Sequence, residues 1–380
     1  MEKDIEKIVE LLNEEKMDRD RIVRLLNSRV NSSLEDDICI SKLNDEKFKN
    51  TVKHILEEIQ NPFVCNNEWD TMFYNFLKEV KSKSIEEMVS IIVGAFNKFK
   101  SQVSFENVNN FIKYFDQFKF WGSFDPENGD YTTFRLRAEN IKMHLYDYLH
   151  LYRRLEDYLS KRTLLSILLN WAMLDMKNIH LVKSIFKDYY EPDIFPDNKD
   201  DVFVDCGAYI GDSIFNYLNS YGVHYKKIYA YEVSKDTIEV LNKNIEAANI
   251  PNVIVKNKGV GSENGFMYIE SNIESSANKL TDNPLSEKVE IVKLDDDIED
   301  KITFIKMDIE GAEKDALKGA ARTIKENMPK LAICVYHGYD DLLDIPELID
   351  STNPNYKFYL RHNGGNAIPT EFVLLCKPNK

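Results

Sequence analysis

Cysteine is scarce in this chain, and what there is follows no pattern. Five residues, at 39, 65, 206, 334 and 376, are scattered, and no CxxC or CxxH pair occurs. An odd, dispersed set supplies neither a disulfide framework nor zinc-ligand pairs, so a reducing, cytoplasmic setting is expected. Three of the five fall in expected strands, where a thiol serves as a small buried hydrophobe. Basic charge is also in deficit: 49 Lys and Arg face 64 Asp and Glu, for a net charge of −15 and a pI near 5.1. That balance argues against nucleic acid as a partner, because polyanion binding draws on clustered Lys and Arg. No apolar run approaches the ~20 residues that cross a bilayer, so no membrane span is expected. The opening Met1-Glu-Lys-Asp-Ile-Glu-Lys7 lacks the apolar core of a signal peptide. Internal repeats and low-complexity tracts are absent as well.

What is present is enough for two domains: 380 residues, 43% of them hydrophobic. Residues 1–186 show helical periodicity throughout. Ile5, Ile8, Val9, Leu11 and Leu12 form one stripe, and Ile22, Val23, Leu25 and Leu26 another. The longest pattern runs over Ile141–Leu174. Turn chemistry at Asn61-Pro62 and over Trp121–Gly129 separates helical subunits. These charge-laced helices suit acceptor binding, homo-oligomerisation or docking of a biosynthetic enzyme, and equally a solvated bundle.

The texture changes after the proline-bearing connector at 189–201. From 187 to 380, strands are expected at 202–206, 228–232, 252–256, 266–270, 289–293, 302–307, 331–336, 356–361 and 371–376. Helices are expected at 212–220, 235–248, 312–326 and 340–350. The alternation implies an α/β, mainly parallel, Rossmann-like sheet covered on both faces. The short loop after Arg361-His362 makes the last two strands an antiparallel hairpin, a layout of class I S-adenosylmethionine-dependent methyltransferases.

The run Val202-Phe-Val-Asp-Cys-Gly-Ala-Tyr-Ile-Gly-Asp212 carries an apolar strand into a glycine turn and a helix. Gly207 and Gly211 admit close backbone approach. Asp205 offers a carboxylate to a cationic or amino-bearing ligand, and Glu232, closing the next strand, suits two ribose hydroxyls. Asp205, Gly207, Ala208, Tyr209, Gly211, Asp212 and Glu232 are therefore the expected cofactor residues, together with Asp308. A dinucleotide fingerprint needs glycine where Tyr209 stands, and a carboxylate at Asp205 would repel pyrophosphate. NAD is disfavoured, and a nucleoside with little phosphate and some positive charge fits S-adenosylmethionine. The connector tyrosines Tyr189 and Tyr190 are placed to fold over such a ligand or simply to pack, and Ser275, Ser276 and Asn278 lie in a polar loop facing cofactor or acceptor.

A second constellation, Phe304-Ile-Lys-Met-Asp-Ile-Glu-Gly-Ala-Glu313, brings Asp308 and Glu310 to the C-terminal edge of a strand, where ligands of open sheets bind. Helix capping accounts for one carboxylate but not for three in six residues. A third, Leu331-Ala-Ile-Cys-Val-Tyr-His337, puts an imidazole at the same edge, and His362 is expected to join it one strand later.

These segments resemble the FkbM-type S-adenosylmethionine-dependent methyltransferases. The likeness covers about residues 189–376 and includes Leu317-Lys-Gly319, Asp340-Asp-Leu342, Ile345-Pro346 and Tyr359-Leu-Arg-His362. Val233 stands where the family usually has proline. The resemblance implies methyl transfer, usually to an oxygen of a sugar, polyketide or other secondary metabolite, including glycan modification. His337 is then the expected base, Asp308 or Glu310 orients it or the acceptor, and His337, His362 and Glu310 meet the acceptor. A divalent metal on Asp308 and Glu310 is the alternative way to acidify a hydroxyl. N-methylation of an amino group, and a catalytically silent scaffold with a methyltransferase fold, are the competing functions.

Overall fold

A computed structural model of the chain describes residues 2–14, 17–27, 39–117, 121–197, 199–270, 279–281, 287–364 and 370–379. The expected loop residues Ser275, Ser276 and Asn278 lie outside the described residues. The chain divides into two compact units, Met1–Arg154 with Lys161–Leu181, and Leu155–Ser160 with Val182–Lys380. Among the described residues no helix is long and apolar enough to cross a membrane.

The helical region comprises α1 (Glu2–Leu12), α2 (Arg19–Asn27), α3 (Asp45–Gln60), α4 (Glu68–Ser82), α5 (Ile85–Gln102), α6 (Phe105–Gln117), α7 (Thr132–Met143), α8 (Leu145–Arg154), α9 (Tyr158–Met173) and α10 (Met176–His180). Local chemistry starts several of them. Asn44 and Asn67 accept the amides of Lys47 and Asp70, and Ser84 with Glu87 forms a full capping box ahead of α5. The apolar stripes of α1 and α2 meet α3 in one core containing Ile8, Leu12, Ile22, Leu26, Phe48 and Ile55. The pattern at 141–174 is three helices, not one. It breaks at His144, whose Nδ1 lies 2.6 Å from Asp147 Oδ2, and again before Asp157, whose carboxylate accepts the Ser160 amide at 2.7 Å. Only the second substitutes a side-chain partner for a helical one; at His144 the amide still donates to Asn140 O and the carbonyl still accepts the Tyr148 amide.

The α/β unit holds β1 (Asp201–Cys206), α11 (Asp212–Tyr221), β2 (Tyr225–Glu232), α12 (Lys235–Ala247), β3 (Val253–Val260), β4 (Gly265–Glu270), β5 (Lys279–Thr281), β6 (Glu287–Val292), α13 (Leu294–Asp297), β7 (Phe304–Met307), α14 (Glu313–Gly319), α15 (Ala321–Asn327), β8 (Lys330–Cys334), α16 (Asp341–Thr352), β9 (Tyr356–His362) and β10 (Phe372–Pro378). The sheet order is β5-β4-β6-β3-β2-β1-β7-β8-β10-β9. Strands β3, β2, β1, β7 and β8 run parallel, and β10 lies antiparallel to both β8 and β9. The expected closing hairpin is therefore present, with β10 inside and β9 at the edge. The helix expected at 312–326 is split at Ala320. A side chain on Gly319 would collide with the Gly261 carbonyl, so the backbone turns where it meets that loop. Beneath the β1–β7 centre, Tyr190, Phe203, Tyr217 and Phe304 pack edge to face or stacked, all buried.

In the helical unit, buried Asp147 accepts Thr51 Oγ1 at 2.8 Å and faces His54 Nδ1 at 2.7 Å and His144 Nδ1 at 2.6 Å. Burial opposes its charge, yet the hydrogen bonds and charges of His144 and His54 prevail and lower its pKa. A carboxylate lowered on folding stabilises fully above its unfolded value near ~4 and loses that contribution as pH falls through the folded value. Asp147→Asn is expected to cost about 1–3 kcal/mol at neutral pH. It should also flatten the loss of urea stability below pH ~4; equal acid profiles for the two proteins would count against the assignment.

Candidate active site

The turn after β1 is built from backbone requirements. Gly207, Tyr209 and Gly211 have φ of 79°, 46° and 94°. A Cβ on Gly207 would run into the carbonyl oxygen of Asp308, so the tips of β1 and β7 touch through a position only glycine can fill. The amides of Gly207 and Ala208 donate to Tyr231 O at 3.0 Å. Glu232, at the end of β2, accepts the amide of Tyr209 at 3.0 Å, of Val233 at 2.8 Å and of Ser234 at 2.9 Å. Those three donors fix the carboxylate's orientation at the mouth of the turn. Asp212 begins α11 as an exposed first-turn acid.

Asp205 lies deeper than the sequence reading placed it. It is fully buried, with Oδ1 3.1 Å from Lys306 Nζ and Oδ2 accepting the Ser213 hydroxyl. It thus acts on the turn from beneath rather than facing the cavity. Lys306 donates to Gly207 O at 2.8 Å and lies under the Tyr189 ring, 5.0 Å from its centroid. Burial opposes its charge, but the carboxylates of Asp205 and Asp308 push the Lys306 pKa up. A lysine within an otherwise apolar strand, Phe304-Ile-Lys-Met307, was the signal for it.

At the tip of β7 three acids take different positions. Asp308 Oδ2 accepts Tyr189 OH at 2.6 Å, and Oδ1 accepts Tyr336 OH at 3.3 Å. Glu310, with φ of 57°, stands half-exposed on the rim. Glu313, at the start of α14, is buried; its Oε1 accepts the Ile309 amide at 2.8 Å and lies 2.9 Å from His337 Nδ1. His337 Nε2 points the other way, 3.4 Å from Asp308 Oδ1 and 3.7 Å from Glu310 Oε2. Burial disfavours the imidazolium, but Glu313, Asp308 and Glu310 together push the His337 pKa up to about 10. Burial pushes Glu310 up to about 7 against the pull of His337. Glu371, 3.2 Å from Tyr336 OH, is pushed up to about 8, by burial first and then by Asp308 and Asp188.

Four of the expected residues, Gly207, Glu232, Asp308 and Glu310, line one small cavity of about 60 Å³, with Val260 beside them; Asp205, Ala208, Tyr209, Gly211, Asp212 and His337 do not line it. Val260, Ile309, Glu310 and Ala312 also line a wider cleft of about 450 Å³ beside it. Lys258, the basic residue on the cavity wall, is paired with Asp297 at 2.9 Å and Glu290 at 3.2 Å. His362 is not brought to this rim. It is fully buried in the β9–β10 hairpin, with Nδ1 3.0 Å from Thr370 O and its ring against Phe372. The order β8-β10-β9 explains this, because β10 separates the strand carrying His362 from the one leading to His337. Of the connector tyrosines, Tyr189 reaches Asp308 and Tyr190 belongs to the aromatic core.

A mainly parallel sheet with an acidic rim over its strand tips and a glycine turn beside it suits a nucleoside-type ligand at that edge. Residues 205–358 match the methyltransferase FkbM domain, so the family resemblance read from the motifs holds for this part of the chain. The crystal structure of methyltransferase FkbM from Methylobacillus flagellatus KT is similar at 26% identity and a TM-score of 0.54, over 63% of this chain and 62% of that one. The match thus spans less than two thirds of that relative's length. An rRNA methylase from Streptococcus thermophilus aligns at 14% identity and a TM-score of 0.33, over 48% of this chain and 89% of its own. No curated protein matches the chain.

Lys306→Met leaves Asp205 buried beside no cation, an arrangement that costs about 3–5 kcal/mol. Adding Asp205→Asn to it is expected to restore part of that stability, giving a double-mutant loss well short of the sum in urea unfolding. Additive losses would mean the two groups stabilise independently.

Proposed function

We propose that the chain is a cytoplasmic, S-adenosylmethionine-dependent methyltransferase with a class I, Rossmann-like catalytic unit. Its acceptor is a hydroxyl of a sugar, glycan or secondary metabolite. The observation that carries this reading is the convergence of Gly207, Glu232, Asp308 and Glu310 on one cavity within the matched FkbM domain. The residues fit a nucleoside without pyrophosphate: a carboxylate rather than a free cation stands at the turn, and Lys258 is already engaged by acids. Glu232 would hold the ribose hydroxyls, and the amides around Gly207 and Tyr209 would border the amino-acid portion.

When bound, S-adenosylmethionine supplies a methyl group on a positively charged sulfur whose thioether leaves readily. The protein's part is alignment, which accounts for up to ~7–11 kcal/mol in favourable intramolecular cases. Tyr189 and Tyr336 hold Asp308 from two sides, and Glu313 fixes the ring of His337. An acceptor hydroxyl placed beside Glu310, whose pKa burial raises to about 7, would pass its proton to that carboxylate, while His337, held as an imidazolium by Glu313, Asp308 and Glu310, would serve there as a donor rather than as the expected base. The rim's several carboxylates equally suit an amino group, so N-methylation is the second reading.

Isothermal calorimetry with S-adenosylhomocysteine tests the cofactor half. The wild-type protein is expected to bind, and Glu232→Gln to bind at least about tenfold more weakly, since a hydrogen bond to a charged group contributes ~1.5–3 kcal/mol. Absence of binding to the wild type would remove the proposal. Transfer of a labelled methyl group into a glycan or metabolite extract, followed by cation-exchange retention of the product at acid pH, separates neutral methyl ethers from protonated methylamines.

A further inference from the structure

The cleft of about 450 Å³ beside the cofactor cavity shares Val260, Ile309, Glu310 and Ala312 with it and continues onto β4. That extension carries Phe266, an aromatic side chain left 64% exposed. A single exposed apolar residue is ordinary on a convex surface; this one lines a concave site, with Met267 and Ile291. Lys288 Nζ lies 4.0 Å from the ring centroid, so a cation holds one face of the ring and the second face stays open.

Hydrogen bonds fix the wall on which Phe266 stands. Asn264 accepts the Lys293 amide at 2.8 Å and donates to Asp296 at 2.9 Å, and the Gly261 amide donates to Val292 O at 3.0 Å. Phe266 is the register partner of Glu290 in the antiparallel β4–β6 pair. A paired strand therefore presents the ring, not a free loop. The polar lining is of one kind. Ser262, Glu263 and Glu310 offer hydroxyl and carboxylate oxygens, and Asp315 is paired with Lys318 at 3.0 Å. Among the described residues no Lys, Arg or His lines the cleft.

An open aromatic face beside oxygen acceptors matches a pyranose-type ring. One face of such a ring is a layer of C–H groups, slightly positive, which packs on the electron-rich face of an aromatic. Its edge is a set of hydroxyls that donate to carboxylates. A phosphate or carboxylate on the ligand would instead meet Glu263 and Glu310 with no cation in the lining to offset the repulsion. We propose, resting on the methyl-transfer reading, that this cleft is the acceptor subsite: Phe266 stacks on an uncharged or amino-substituted sugar ring, and Glu263 with Glu310 rejects anionic sugars. Glu310 belongs to both cavities, so a ring seated on Phe266 brings its hydroxyls toward the cofactor side. Phe266 is then a specificity-determining residue.

Saturation-transfer difference NMR on the full-length protein tests the subsite without turnover. Methyl glucoside and glucosamine are expected to receive saturation, and glucuronate and glucose 1-phosphate to receive none. Phe266→Ala should weaken the glucoside about tenfold, the loss of one stacked ring, and Phe266→Tyr should retain it. Glu263→Lys should admit glucuronate. Thermal melting checks that the variants are folded. Equal saturation in wild type and Phe266→Ala, no saturation of either the glucoside or glucosamine, or a preference for the anionic sugars would overturn the subsite. S-adenosylhomocysteine calorimetry on the same samples keeps the two readings apart. Cofactor binding without sugar binding rejects the subsite alone, and sugar binding without cofactor leaves the ring site and rejects methyl transfer.

Discussion

The pairing of Asp205 with Lys306 is the constraint on which the catalytic unit depends. The two residues are register partners on β1 and β7, and both are buried. Lys306 satisfies the Gly207 carbonyl and underlies Tyr189, which in turn holds Asp308. A single ammonium thus ties the first turn, the tip of β7 and the connector into one body. Such a pair gains little net stability over an apolar replacement, because desolvation offsets most of the attraction. Its contribution is geometric. It fixes where the Gly207 and Asp308 backbones meet, and every group on the rim is placed relative to that contact.

The sheet was readable from sequence because its signals are local. Apolar runs bounded by Gly, Asn and Pro marked β1, β2, β7, β8 and the closing hairpin to within a few residues. Residues whose role is set by their own turn were also readable: Gly207 and Gly211 by conformation, Glu232 and Asp308 by standing at strand ends. What stayed hidden depends on contacts across the chain. Asp205 reads as a ligand-facing acid until Lys306 is seen beneath it. Glu313 reads as a first-turn helix acid until His337 is placed against it. His362 reads as a rim residue because sequence order suggests that β9 follows β8, whereas β10 is inserted between them. Glu371, alone before the last strand, carried no signal at all.

The helical unit follows the same division. Its stripes identified the helices around Ile8 and Ile22, but the interruptions at His144 and at Asp157, where a carboxylate caps the next helix, leave no mark on periodicity. Asp147 gathers Thr51, His54 and His144 inside that unit, so its interior is specified by polar matching as well as by apolar stripes. A purely apolar core tolerates sliding of one helix along another; a buried carboxylate with three partners does not.

The contact between β1 and β7 joins segments about a hundred residues apart in the chain. Such a closure carries the loop-entropy cost of a long-range contact, of the kind that slows folding. The closure cost grows slowly with the length of what lies between, by ~0.6 kcal/mol for each doubling. Extra length between the two tips is therefore cheap in closure entropy, but Phe266 and Met267 of β4 and Ile291 of β6 line the cleft beside the pocket and tie that excursion to it. The Gly207–Asp308 contact itself admits almost no change.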